Sequence, residues 1–280
     1  MTHDEIFAAH KPLLFSIAYR MLGSVMDAED AVQECYLRWQ RATAEDVRAP
    51  KAYLAAAVTR LSIDRLRQAQ TQREVYVGTW LPEPVFGAPA EASELADSLS
   101  LAFLTVLESL SPVERAALLL HDVFDYDYAE VAQIIGKSEA NARQILSRAR
   151  RAVAERRPRF DVTAEQHTAM LSRFAQACLD GDLDGLLDLL AEDVVAYSDG
   201  GGKVAAATRP VRGASAVARF LIGIMRKGTD LHYEPALING QPGIVSLSPD
   251  GQRRLALVLD LADGRIRGIY NVRNPEKLQN

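Results

Sequence analysis

The stretch YSDGGGKV, Tyr197–Val204, puts three glycines before a lysine. Such a run could offer backbone N–H groups and an ammonium to a phosphate. The spacing argues against it. A Walker-type loop needs glycine five residues before Gly202, where Tyr197 stands, and Ser or Thr after the lysine, where Val204 stands. No strand–helix–strand pattern surrounds the motif. The expectation is a glycine-rich hairpin or bulge after a strand. Gly200, Gly201 and Gly202 there tolerate positive φ and let another segment approach the backbone, with Asp199 and Lys203 as charges at the edge of that contact. A second chemistry lies in YAEVAQIIGKSEANARQILSRARRAV. A short helix, the turn GKS and a helix from about Glu139 have helix-turn-helix spacing. Asn141, Arg143, Gln144, Ser147 and Arg148 fall on the outer face of the second helix. Arg and Gln can bond purine edges in a major groove, and Arg150 and Arg151 suit phosphates.

Other reactive residue types are sparse. Cys35 and Cys178 lie far apart, each in a helical pattern, and read as buried reduced thiols. The five histidines show no metal-ligand spacing, so no metal and no cofactor is expected. The formal net charge is −5, yet basic runs stand within it. Arg48 to Arg73 holds six Lys/Arg against the single acid Asp64, and Lys137 to Arg159 eight against Glu139 and Glu155. Screening makes charge beyond about 10 Å matter little, so a basic face can meet DNA on an acidic chain.

The elements that carry these residues can be read along the 280-residue chain. HKPLLFSIAYRMLGS is helical, with Gly23 as its stop. DAEDAVQECYLRWQRA is a helix opening at Asp27. Ala28, Ala31, Val32, Cys35, Tyr36 and Trp39 share its apolar face, and acids crowd its first turns. A third helix follows Pro50, apolar at Tyr53, Leu54, Ala57, Leu61 and Ile63 and basic on its other side. VGTWLPEPVFGAPAEAS is an extended linker, because proline fixes φ and removes donors. Trp80 and Phe86 imply that it docks. Ser111, Pro112 and Glu114 form a helix start as N-cap, first and third positions. From Asp161 the chain reads as amphipathic helices, another helix in RGASAVARFLIGIMRKG, and then alternating strands separated by NGQPG, SPDG and ADG. The fold class expected is multidomain: two all-α modules and a C-terminal α+β unit with a curved sheet folded over helices. MTHDEIF holds no leader, and no apolar run approaches the ~20 residues of a span, so a cytoplasmic chain with no membrane contact is expected.

These residues carry a family resemblance. SIAYRMLGSVMDAEDAVQECYLRW resembles region 2 of bacterial extracytoplasmic-function sigma factors, and the later helix-turn-helix resembles their region 4. Residues 161–280 resemble a SnoaL-like cone of the NTF2 type. The fusion has hallmarks that recur here as WLPEP at Trp80–Pro84, DGGGK at Asp199–Lys203 and NPEKL at Asn274–Leu278, with Glu276 in place of the family's Asp. The domains implied are 1–75 for region 2, 76–93 for the linker, 94–157 for region 4 and 161–280 for the cone. The resemblance implies an alternative sigma factor that binds core RNA polymerase, recognises promoter DNA and leaves catalysis to the polymerase. Asp27, Glu29, Asp30, Gln33 and Glu34 would dock on core polymerase. Arg60, Arg65 and Arg67 would track the melted minus-ten strand. The loop TAEDVRAP would pocket a flipped base. Asn141, Arg143, Gln144, Ser147, Arg148, Arg150 and Arg151 would meet the minus-thirty-five duplex. Trp80, Leu81, Pro82, Glu83 and Pro84, with Asp199, Gly200, Gly201, Gly202, Lys203 and the tail Asn274, Pro275, Glu276, Lys277 and Leu278, would be regulatory interdomain residues, the glycine motif being visited by another part of the same chain or by the polymerase. The appended domain would thereby regulate in cis.

Two rivals remain at this point. Cones of this type include cyclases and isomerases, and Asp199, His232, Glu234 and Tyr270 are the ionisable candidates for such work. A ligand sensed in the cone without turnover is the milder form of that reading. A conventional helix-turn-helix repressor is the second rival. It leaves the acidic DAEDAVQE helix and the WLPEP linker without a task.

Overall fold

A computed structural model describes residues 2–42, 49–87, 99–154, 162–226 and 231–279, without the side chains of 70–74. Most of the loop TAEDVRAP, residues 43–48, lies outside the described residues. The chain divides into two compact units: Met1–Glu74 with Ala90–Ser98 and Leu104–Arg157, and Val75–Pro89 with Leu99–Phe103 and Pro158–Asn280.

The first unit is helical. Helix α1, His3–Leu22, starts with a capping box between Thr2 and Glu5 and stops at Gly23, which takes the left-handed conformation at φ 67°. Helix α2, Val25–Arg41, begins two residues before the expected Asp27, because the Ser24 hydroxyl accepts the Asp27 N–H and serves as its cap. Its Ala28, Ala31, Val32, Cys35 and Trp39 are buried. Helix α3 spans Pro50–Glu74, with Leu54, Val58, Leu61 and Leu66 in the core. The short α4, Leu101–Leu107, starts in the second unit and ends in the first, and α5, Pro112–Asp122, follows with the Ser111–Glu114 capping box. Helices α6, Tyr128–Ile135, and α7, Glu139–Ala154, are joined through Gly136 at φ 68°. That is the predicted helix-turn-helix, with the glycine where the turn needs positive φ. Burial pushes the Cys35 thiol up to about 11, so it stays protonated and unreactive.

The second unit is α+β, the class expected of a SnoaL-like cone. Helices α8, Ala164–Asp180, and α9, Leu183–Leu189, lead into β1, Leu190–Asp199. Then come β2, Val211–Arg212, α10, Ala214–Met225, and the strands β3, His232–Ile238, β4, Gln241–Leu247, β5, Arg253–Ala262, and β6, Arg265–Val272. The sheet order is β2-β1-β6-β5-β4-β3. Among the described residues, β1 and β6 run parallel and the other neighbouring strands antiparallel. A short 3-10 turn, Pro275–Lys277, ends the described chain.

Strand alternation gives this sheet two apolar faces. Leu257, Leu259 and Leu261 of β5 point to α8 and α10, where they meet Phe174, Val217 and Ile222. Ala256 and Val258 point the other way, to a second core that includes Leu81 of the linker, Leu101, Tyr270, Val272 and Leu278. The linker is thus part of this unit's hydrophobic core. Phe86 bridges to Ile238 at the end of β3, and Gly87 N–H donates to the Leu237 carbonyl at 3.0 Å.

Candidate functional site: the linker-docking site and the reading helix

The linker reaches its seat through one carboxylate. Asp199 ends β1, where strand alternation turns its side chain to the linker face, and it is fully buried. Its Oδ1 accepts from the Tyr76 hydroxyl at 2.6 Å and from the Gly201 N–H at 3.0 Å. Its Oδ2 accepts from the Leu81 N–H and from the Lys277 ammonium, both at 2.8 Å. The Asp199 backbone carbonyl accepts from the N–H groups of Arg273 and Asn274. Lys277, only 8% exposed at its side chain, also donates to the Leu81 carbonyl at 2.5 Å and lies 4.1 Å from the Trp80 ring centre. Charge, hydrogen bonds and a cation–π contact thus satisfy both ions of a buried pair, the condition for tolerating such a pair in a core.

This corrects the expectation that Asp199 sits at the edge of the contact. It is the centre, and only Lys203 is peripheral, paired at the surface with Glu276. The glycines act as expected. Gly201 and Gly202 have φ of 58° and 71°, and a Cβ on them would strike the Asn274 amide and Val77. Leu81, Pro82, Glu83 and Pro84 are buried and Trp80 partly so. Asn274 caps the turn by accepting the Glu276 N–H, and its amide donates to the Tyr76 hydroxyl at 3.0 Å.

Two members of the site escaped the sequence reading. Tyr76 precedes the WLPEP motif and gives no pattern of its own beyond an aromatic ring in a linker. Burial first, then its bond to Asp199, push its phenol well above the usual tyrosine range, so it stays a donor. Asn239, in the NG turn between β3 and β4 at φ 53°, holds two chain segments at once. Its Oδ1 accepts the Val85 N–H at 2.9 Å and its Nδ2 donates to the Leu99 carbonyl at 2.8 Å. The signal was present, since Asn at a positive-φ turn position was legible, but its side-chain partners were not.

The enzymatic candidates do not converge. His232 and Glu234 sit on the edge strand β3 and pair with each other, His232 with its side chain 75% exposed. Tyr270 is buried and stacks on Tyr197 with ring centres 5.2 Å apart. Asp199 is enclosed by its own donors. No nucleophile–base pair results.

In the helical unit, Asp27, Glu29, Asp30 and Gln33 are exposed on α2 and Glu34 partly so. Arg65 of α3 approaches Asp30 and Glu34 at 3.6 Å each, and Arg67 pairs with Asp64 at 3.1 Å. Arg60 is engaged elsewhere. Its guanidinium donates to the carbonyls of Gln133 and Ile134 at 2.8 and 2.9 Å, capping the C-terminal end of α6. Buried Arg115 of α5 donates to the carbonyls of Met21 and Leu107, both at 2.7 Å. On α7, Asn141, Arg143, Gln144, Ser147, Arg148, Arg150 and Arg151 are all exposed, while Ala142, Ile145, Leu146, Ala149 and Val153 pack inward. Arg143 pairs with Glu139 and lies 4.1 Å over the Tyr128 ring. Arg150 is clamped by both oxygens of Asp122, at 3.0 and 2.5 Å, which raises its basicity further.

The Sigma-70 region 2 family matches residues 6–72, and Sigma-70, region 4 matches residues 100–153. The ECF RNA polymerase sigma factor SigJ of Mycobacterium tuberculosis is 39% identical, over 97% of this chain and 91% of its own length. The chain belongs to the ECF RNA polymerase sigma factors. The probable ECF sigma factor SigI of the same organism is 32% identical over 99% of this chain and 96% of its own. The crystal structure of the M. tuberculosis extracytoplasmic function sigma factor SigJ superimposes with a TM-score of 0.78 at 36% identity, covering 99% of this chain and 98% of that one. The sigma factor assignment thus spans both units, and the protein works with RNA polymerase in transcription initiation. Among the described residues, no helix is long and apolar enough to cross a membrane.

Proposed function

We propose that this sigma factor carries its own restraint: the α+β unit grips the interdomain linker, and release of the linker sets how well the helical unit serves core polymerase. The observation that carries this reading is the enclosure of Asp199 by Tyr76 and Leu81 of the linker and Lys277 of the tail, two segments distant from it in sequence. A docked linker behaves as an intramolecular ligand at an effective concentration of ~mM, so a modest bias can tip it. The bias has two sources in this reading. One is core polymerase, met through the acidic face of α2 at Asp27, Glu29, Asp30, Gln33 and Glu34. The other is a small molecule held inside the α+β unit. Promoter contacts follow the geometry of the helical unit. Arg143, Gln144, Ser147 and Arg148 read the minus-thirty-five duplex from the exposed face of α7. Arg65 and Arg67 meet the melted minus-ten strand, and Arg60 joins them only when it leaves the α6 carbonyls. Sequence recognition is this chain's task and bond chemistry the polymerase's.

The test is run-off transcription with core polymerase, comparing the full chain with its Lys277→Met and Gly201→Glu variants. Release of the linker, followed by protease cleavage near Trp80, is expected to change transcript yield several-fold. Cleavage without any change in yield sinks the restraint.

A further inference from the structure

Arg143 differs from its neighbours on α7 in how it is held. Its Nε and Nη2 both donate to one oxygen of Glu139, at 3.2 and 2.7 Å. Its guanidinium carbon lies 4.1 Å from the centre of the Tyr128 ring. Arg148, by contrast, is 65% exposed at its side chain, with Glu114 of α5 at 3.7 Å. An exposed i,i+4 pair alone restrains an arginine weakly. A ring beneath the guanidinium adds a cation–π contact and fixes the plane that the pair leaves free to turn.

The ring belongs to a different element from the arginine. Tyr128 is the first residue of α6, where the Asp127–Glu130 capping box sets the backbone with bonds of 2.9 and 2.8 Å. Tyr128 is partly buried. His121, in the last turn of α5, packs its ring against Tyr128 with centres 4.4 Å apart and planes at 55°. Ala142, Ile145 and Leu146 seat α7 in the core of the helical unit. The platform therefore stands on a corner built by α5 and α6, and the packing of α7 brings Arg143 to it.

The held fork has a chemistry of its own. Glu139 takes the side formed by Nε and Nη2, and Nη1 has no hydrogen-bond partner among the described residues. The terminal edge, Nη1 with the other hydrogen of Nη2, is left as two parallel donors. In a major groove, guanine offers two acceptors to such an edge, O6 and N7. Adenine offers N7 beside a donor, so it matches half of the edge and opposes the rest. Arg143 is also the fifth residue of α7, near the N-terminal end that a recognition helix turns to base edges.

We infer that Tyr128 is a positioning residue for promoter recognition: its ring holds the Arg143 guanidinium so that the terminal edge of the fork selects guanine at one position of the minus-thirty-five duplex. This assignment rests on the reading above in which α7 meets that duplex. A preorganised guanidinium loses less freedom on meeting its base. Loss of the ring therefore weakens discrimination at one base pair and spares the phosphate contacts, which carry no sequence information.

The experiment uses holoenzyme assembled from the full chain and core polymerase. Selection from random duplex DNA gives the preferred minus-thirty-five element, and run-off transcription is then measured on every single-base variant of it. Yields are compared between templates for one protein, so a variant with less folded material lowers all templates alike. The parent chain is expected to prefer guanine about tenfold or more at one position, and Arg143→Ala to lose that preference. Tyr128→Leu is expected to cut the same preference about two- to fivefold, the worth of an exposed cation–π contact, and to leave the other positions as they were. Tyr128→Phe keeps the ring and is expected to keep the preference. Tyr128→Leu added to Arg143→Ala is expected to change nothing further at that position. An even loss across all templates for Tyr128→Leu overturns the assignment, and so does a preference lost at a position that Arg143→Ala does not touch. A base other than guanine at the Arg143 position overturns it too. If Arg143→Ala erases a guanine preference that Tyr128→Leu leaves intact, α7 still reads the duplex and only the role of Tyr128 falls. If Arg143→Ala alters no base preference, the reading of the duplex by α7 fails and the role of Tyr128 falls with it.

Discussion

The linker seat and helix α7 use charge in opposite ways. At the seat, Asp199 and Lys277 are buried, and every bond they make is internal. On α7, Arg143 and Arg148 stand in solvent, with Glu139 and Glu114 as their surface partners. A buried pair is costly to break because removal of one ion leaves the other desolvated and alone. An exposed pair is cheap to break because water replaces the partner. The seat therefore resists the loss of either ion, whereas the exposed pairs of α7 can be exchanged at little cost.

The largest effect expected from that difference is at the seat. Asp199→Ala or Lys277→Met alone is expected to destabilise the α+β unit by ~3–5 kcal/mol, the usual cost of orphaning a buried ion. The double variant is expected to cost less than the sum, since neither charge is then left alone. Denaturant melts of the four proteins of this cycle decide it. Simple additivity would mean that the two ions do not depend on each other, and the contrast with α7 would collapse.

A smaller effect concerns a second carboxylate on the same face of the same sheet. Asp260 lies on β5 opposite Gly268 and lacks the ring of donors that encloses Asp199. Burial pushes its carboxyl up to about 6, with the Arg267 guanidinium pulling it back. A folded-state value above the unfolded one means that the native chain binds the proton more tightly. Stability therefore falls as pH rises from about 4 to about 6, and the loss is complete above that window. Asp260→Asn is expected to flatten this part of the stability profile in melts taken between pH 4 and pH 7. An unchanged slope would mean that Asp260 is as well served as Asp199.

The same contrast explains what could be read from the residues alone. Local rules worked where the cause is local. Gly23 and Gly136 stop helices, Ser111 with Glu114 starts one, and the period of α7 separates Ala142, Ile145 and Leu146 from Arg143 and Arg148. Ser24 rather than Asp27 opens α2 because two cap-competent residues three positions apart compete, and side-chain geometry decides between them. The seat was legible as three motifs but not as a single carboxylate. Tyr76, Leu81, Asp199 and Lys277 are joined by side-chain hydrogen bonds between segments far apart in the chain, and no local spacing encodes that. Arg60 has the type and position of a nucleic-acid contact, and only the fold reveals that its donors are spent on the end of α6.

The smallest effect on stability separates two arginines of α7 that look alike in sequence. Arg143 is an exposed side chain that pairs with Glu139 of its own helix and stacks on Tyr128 of α6, so its loss removes surface contacts only. Arg150 ties α7 to α5 through both oxygens of Asp122, which is itself partly buried. Arg143→Ala is expected to cost ~0–1 kcal/mol in stability while lowering run-off yield about tenfold on a promoter with an intact minus-thirty-five element. Arg150→Ala is expected to lower the melting temperature more than Arg143→Ala does and to weaken transcription evenly across altered minus-thirty-five sequences. The pattern distinguishes a base-reading side chain from one that holds the helix in place, because only the first has a partner that changes with the DNA. If both variants lose yield evenly and melt alike, α7 is no more differentiated than its composition, and the division of labour along it is wrong.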